Sequence, residues 1–192
     1  MKGLYKSDKI LNGDSMREKI KPLVISAMLL CLGYVLPFLT GQIPQVGNLL
    51  LPMHIPVLLC GMICGWQYGA VVGFIIPLTR SLFFGMPILY PTAIYMAFEL
   101  LTYGFISGLI YKKAKKHNLK AVLISLIPAM LCGRIIYGTV KTILLGLEGE
   151  SLGFAAFIGG AFTEAVPGII LQLILIPTII LAVEKINSGA KA

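Results

Sequence analysis

The chain has 192 residues, 57% of them hydrophobic and 12% charged, with a mean hydropathy of +0.90 and a formal charge of +8 at pH 7. That composition is that of a polytopic membrane protein and leaves no length for a soluble catalytic or nucleotide-binding domain beside the spans. The positive charge does not point to nucleic acid, because the basic residues gather between apolar runs, where they mark topology.

Residues 1–21 are polar and basic. Ser15 and Glu18 have the Ser-x-x-Glu spacing of a capping box, which predicts a helix that starts there and leads into the first span. Span 1 runs from Pro22 to about Thr40; it is long and lacks a small-residue cleavage site, which sets it apart from a signal peptide. The loop 41–52, GQIPQVGNLLLP, carries no charge. A short span 2 covers Met53 to Trp66, and a tight turn at Gln67 leads into span 3, which ends near Phe84. Glycines 61, 65, 69 and 73 recur every fourth residue along this hairpin, a spacing that lets helix backbones approach closely in lipid. A second uncharged loop spans 85–91, and span 4 runs from Thr92 to Tyr111, ending in KKAKKHNLK. Span 5 covers Ala121 to Leu145, with a bend expected at Pro128. The acidic loop GLEGES follows, and span 6 runs from about Phe154 to Val183. The expected fold is all-α: a single transmembrane domain with six helices over 22–184, a basic segment before it and a short tail, 185–192, after it.

Orientation follows from the basic residues. Lys2, Lys6, Lys9, Arg17, Lys19 and Lys21 precede span 1. Lys112, Lys113, Lys115, Lys116 and Lys120 lie between spans 4 and 5, and Lys185 and Lys191 follow span 6. With six spans these segments share one side, which makes both termini cytoplasmic, while the opposite loops contain no Lys or Arg. The expected location is a bacterial plasma membrane. The four cysteines, Cys31, Cys60, Cys64 and Cys132, lie in apolar runs with neither His nor acid beside them. They read as small core residues, so neither a disulfide framework, a metal nor a cofactor is expected.

Six ionisable residues remain inside the apolar runs: His54, Arg80, Glu99, Arg134, Lys141 and Glu164. On this topology all lie at mid-depth or in the outer half. Arg80 and Lys141 are near enough to the outer surface to snorkel. Glu99, Arg134 and Glu164 are too deep for that, and they serve either a ligand site or a structural network of charges. Helical spacing favours a site. Arg134, Tyr137, Gly138 and Lys141 share a face of span 5; Thr92, Tyr95, Glu99 and Tyr103 form a stripe on span 4; Glu164, Gly168 and Gln172 line a face of span 6. Three polar faces at comparable depth point to a shared cavity.

The opening of span 1, LVISAMLLCLGYVLP, and the hairpin HIPVLLCGMICGWQYGAVVGF, set in this six-span plan, resemble the substrate-binding S components of energy-coupling factor (ECF) vitamin transporters. The resemblance covers nearly the whole chain. It implies capture of a water-soluble vitamin or precursor from outside, with a transmembrane coupling protein and two cytoplasmic ATPases as partners that drive import. It also implies that Ala27 and Cys31 dock the coupling protein, as the family's Ala-xxx-Ala pattern does, with Cys replacing the second Ala. The implied pocket combines the outer loop after span 1, which holds Asn48, with spans 4 to 6. The candidate ligand residues are therefore Arg134, Lys141, Tyr137, Glu99, Tyr95, Tyr103, Glu164, Gln172, Arg80, His54 and Asn48. The surplus of positive charge suits a carboxylate or phosphate, and Glu99 could equally meet an amine; pantothenate, a pyrimidine or pyridine precursor and riboflavin all stay open. No catalytic motif supports an embedded enzyme using Glu99, Glu164 or His54, and the chain is expected not to be an enzyme. A small channel or a structural membrane protein is the remaining alternative.

Overall fold

The computed structural model describes residues 2–40, 50–114, 118–147, 149 and 165–189, and every regular element among them is helical. Helix α1 covers Lys2–Val35 and passes into a 3₁₀ turn, Leu36–Thr40. Helices α2 (His54–Cys64) and α3 (Trp66–Phe84) form a hairpin. A π-helical turn, Leu89–Ala93, introduces α4 (Ile94–Lys113), which is followed by α5 (Leu119–Leu147) and α6 (Val166–Gly189). Two expectations change at the amino-terminal end and in the hairpin. The helix does not begin at Ser15, because helical backbone already runs from Lys2, and a Ser-x-x-Glu pair caps only where no earlier turn supplies hydrogen bonds. The hairpin turns at Gly65, whose φ of 104° needs glycine, and not at Gln67.

Among the described residues, five helical stretches are long and apolar enough to cross a membrane. The expected span 2 is the exception. Its 11 residues rise about 16 Å, roughly half of a hydrocarbon core. His54 to Met62 are all buried, so α2 is apolar on every side because protein surrounds it on every side.

Glycine sets how closely α2, α3 and α4 pack. A Cβ placed on Gly61 of α2 would lie 2.5 Å from the Gly104 carbonyl oxygen and 2.7 Å from Ser107 Oγ, both on α4. On Gly69 it would lie 2.5 Å from the Gly61 Cα, and on Gly73 it would strike the Leu100 backbone. These contacts fix direction as well as distance. With His54 beside Glu99 and Gly61 beside Gly104, α2 runs parallel to α4, whereas α3 runs against it. The paired glycines of α4, Gly104 and Gly108, complete the contact, and Gly65 serves the turn instead. The apolar core lies between these helices and α5 and α6, around Leu58, Ile76, Leu100, Leu126, Ile176 and Ile180. Helix α1 packs on α2 and α3 at the edge, through contacts such as Gly33 with Ile76.

Candidate functional site

The residues meet where the start of α2 lies against the first third of α4 and the middle of α5. The chain enters α2 through Leu51, which holds a left-handed φ of 50°, uncommon for a side chain of that size, and its carbonyl accepts the His54 amide at 3.0 Å. That turn sets His54 at the head of α2, facing α4. Its Nε2 lies 3.2 Å from Glu99 Oε1, and Arg134 Nη1 from α5 lies 3.2 Å from the same oxygen. The three residues are 1%, 1% and 3% exposed. Tyr103, one turn below Glu99, stacks edge-on against the His54 ring at 5.2 Å between centroids. Gly133 makes room for it, because a Cβ there would lie 2.8 Å from the Tyr103 ring. Above Glu99, Tyr95 and Tyr137 meet edge to face at 4.9 Å. The Arg134 guanidinium lies over Tyr137 at 5.5 Å, and Lys141 Nζ lies 5.9 Å and 5.6 Å from the Tyr95 and Tyr137 ring centroids.

Among the described residues of the cluster the cations Arg134 and Lys141 outnumber the acid Glu99, and hydrogen bonding is incomplete. His54 Nε2 and Glu99 Oε1 stand at ion-pair distance without hydrogen-bond alignment. His54 Nδ1 and Arg134 Nε and Nη2 have no aligned hydrogen-bond partner, although the Tyr103 side chain interacts with the Arg134 guanidinium. Gln172, on the buried face of α6 one turn below Gly168, is 1% exposed, and neither end of its amide is partnered. Buried polar groups are nearly always satisfied, since each orphan costs about 1–3 kcal/mol. Such orphans occur here on four helices, at His54, Glu99, Arg134 and Gln172.

Most of the residues expected from the sequence therefore meet: His54, Tyr95, Glu99, Tyr103, Arg134, Tyr137 and Lys141 in one cluster, with Gln172 on a helix that packs against α5 and α2. Arg80 is a correction. It neither snorkels nor reaches Glu99: it is 2% exposed, its Nη1 donates to the Tyr34 carbonyl at 2.6 Å, and its guanidinium lies 4.9 Å and 5.2 Å from the Phe38 and Phe84 rings. The cause is the end of α1, where the last carbonyls lack helical partners and a buried cation can supply the donor. The Tyr34 hydroxyl, 2.7 Å from Thr79 Oγ1, ties the same two helices. The sequence carried a signal for this cage in the aromatics Tyr34, Phe38 and Phe84. Asn48 and Glu164 lie outside the described residues. Ala27 and Cys31 are exposed on α1.

A family model described as the ECF transporter, substrate-specific component, matches residues 21–180. The chain belongs to this family. It is an S component, a substrate-binding subunit of a membrane transporter and not an enzyme, of a kind that works with a membrane-embedded energising module and ATPases. No curated protein and no solved structure matches the chain significantly.

Proposed function

We propose that this S component captures a water-soluble vitamin or vitamin precursor in the cluster around Glu99 and Arg134, and that a coupling protein and two cytoplasmic ATPases drive its release inward. The distribution of Lys and Arg supports an orientation with both termini cytoplasmic, which puts the cluster in the outer half of the bundle. The exposed small residues Ala27 and Cys31 would face the coupling protein from the inner half of α1. The observation that carries the binding reading is the set of unpartnered polar atoms on His54, Arg134 and Gln172, all buried. A bundle held together by charge alone would have no reason to keep the Gln172 amide dry and unpaired.

Gln172→Leu tests this directly. It removes an orphaned amide at nearly constant volume, so the ligand-free protein should gain about 1–3 kcal/mol of stability, seen as a higher melting temperature in detergent. Retention of the co-purifying small molecule, measured by native mass spectrometry, should fall about tenfold or more. A lower melting temperature with ligand retention unchanged would mean that Gln172 serves the fold, and the site reading would fail.

A further inference from the structure

We infer that the substrate carries one carboxylate, gripped edge-on by Nε and Nη2 of Arg134, and that its other polar groups are uncharged. The inference rests on the binding reading above and narrows its substrate class. It starts from which guanidinium nitrogens are in use. Arg134 Nη1 stands at ion-pair distance from Glu99 Oε1, 3.2 Å, without hydrogen-bond alignment, while Nε and Nη2 are buried without aligned hydrogen-bond partners. In a guanidinium, the Nε hydrogen and one hydrogen of Nη2 point the same way along one edge, at a spacing that matches the two oxygens of a carboxylate. The internal acid thus holds the side chain by one nitrogen and leaves the two-donor edge open. An arginine placed only to neutralise Glu99 would most favourably turn that edge toward it.

The surrounding charge selects a monoanion. Among the described residues of the cluster, the side chains Arg134 and Lys141 face the single carboxylate Glu99, an excess of cations that suits an anion. A dianionic phosphate would leave an uncompensated negative charge in a site whose walls are almost entirely buried. Lys141 is a poor second grip, since its ammonium lies over the Tyr95 and Tyr137 rings, but it raises the potential felt by an arriving anion. The other unpartnered atoms include His54 Nδ1 and both ends of the Gln172 amide, which are hydrogen-bonding groups without a carboxylate or a guanidinium. They suit hydroxyl, amide or ring-nitrogen groups on the body of the molecule.

The test uses the full chain purified in detergent. Small molecules released on denaturation are identified by mass spectrometry, and acetate and inorganic phosphate serve as bare headgroup probes on the emptied protein. The released molecule should contain a single carboxylate, and converting it to the carboxamide should weaken binding about 100-fold, the effect of losing two charge-assisted hydrogen bonds. Acetate, matched against chloride for ionic strength, should raise the melting temperature, and phosphate should not. Arg134→Lys keeps a cation beside Glu99 but has no two-donor edge, so it should fold and lose both the bound molecule and the acetate response. A released molecule that is phosphorylated or has no acid overturns the carboxylate inference and leaves the substrate-binding reading standing. Full retention in Arg134→Lys overturns the edge-on grip. If no molecule is released and acetate has no effect, the site itself is wrong. If Arg134→Lys does not fold, the wild-type preference between acetate and phosphate still decides.

Discussion

Glu99 Oε1 is approached by His54 and by Arg134 at the same 3.2 Å, and all three side chains are buried. Buried pairs of this kind add little net stability, because desolvating both charges offsets their attraction, yet removing one partner strands the other and costs about 3–5 kcal/mol. This makes a double-mutant cycle informative. Glu99→Gln and Arg134→Met should each lower the melting temperature substantially, while the double variant should be more stable than either single one, since neither member of the pair is left stranded. Additive losses would mean that the two side chains do not act as a pair. The same cycle read by ligand retention separates fold from site: the double variant should be well folded and empty. The face was readable for these residues in the sequence, because 3.6-residue periodicity puts Arg134, Tyr137 and Lys141 on one side of a helix. Partner choice was not readable. Arg80, like Arg134, is a lone cation in an apolar run, but it is held by a helix-end carbonyl and two phenyl rings.

Among the described elements, the α2–α3 hairpin packs backbone to backbone against α4. It sets the height of the cluster, since α2 delivers His54 to Glu99 only if its lower half seats against Gly104 and Ser107. The glycine spacing in the sequence pointed to this contact, but four equally spaced glycines look alike there. Only the backbone distinguishes Gly61, Gly69 and Gly73, which pack, from Gly65, which turns. Nor did hydropathy alone show that α2 falls short of crossing length, because helix ends inside a continuous apolar run carry no polar boundary. A methyl group at Gly104 would overlap the Gly69 carbonyl, and backbone cannot yield as a flexible side chain can. Gly104→Ala should therefore destabilise by about 1–3 kcal/mol or more and weaken ligand retention by lowering His54 away from Glu99. Gly146→Ala is the matched control: nothing lies within 4 Å of its added methyl, so it should be neutral or raise the melting temperature slightly. Equal melting temperatures for the two variants would show that the close approach does not govern stability.

At the scale of the whole molecule, the helices divide the work unevenly. The apolar stretch of α4 is 50% buried among its neighbours and that of α1 only 17%, so α4 is the central post of the bundle and α1 lies at its edge. Met28, Leu32 and Val35 are exposed along α1, as are Ala27 and Cys31 one turn apart on a single face. Among the described residues no helix of this chain covers that face, so the small side chains leave a shallow groove for lipid or for a partner helix packed by close contact. In the proposed transporter that partner is the coupling protein. Binding and docking then lie on separate parts of the chain: the ligand groups are on α2, α4, α5 and α6, and the groove is on α1, joined to α3 by Arg80 and Tyr34. Ala27→Trp should fill the groove without touching the ligand cluster. The isolated variant should melt within a degree or two of wild type and retain its small molecule, because surface substitutions change stability by roughly 0.5 kcal/mol or less. Co-purification with the coupling protein and substrate uptake by cells should both be lost. Uptake at the wild-type level would remove Ala27 from the interface, and a variant that misfolds in isolation would place that face inside the bundle.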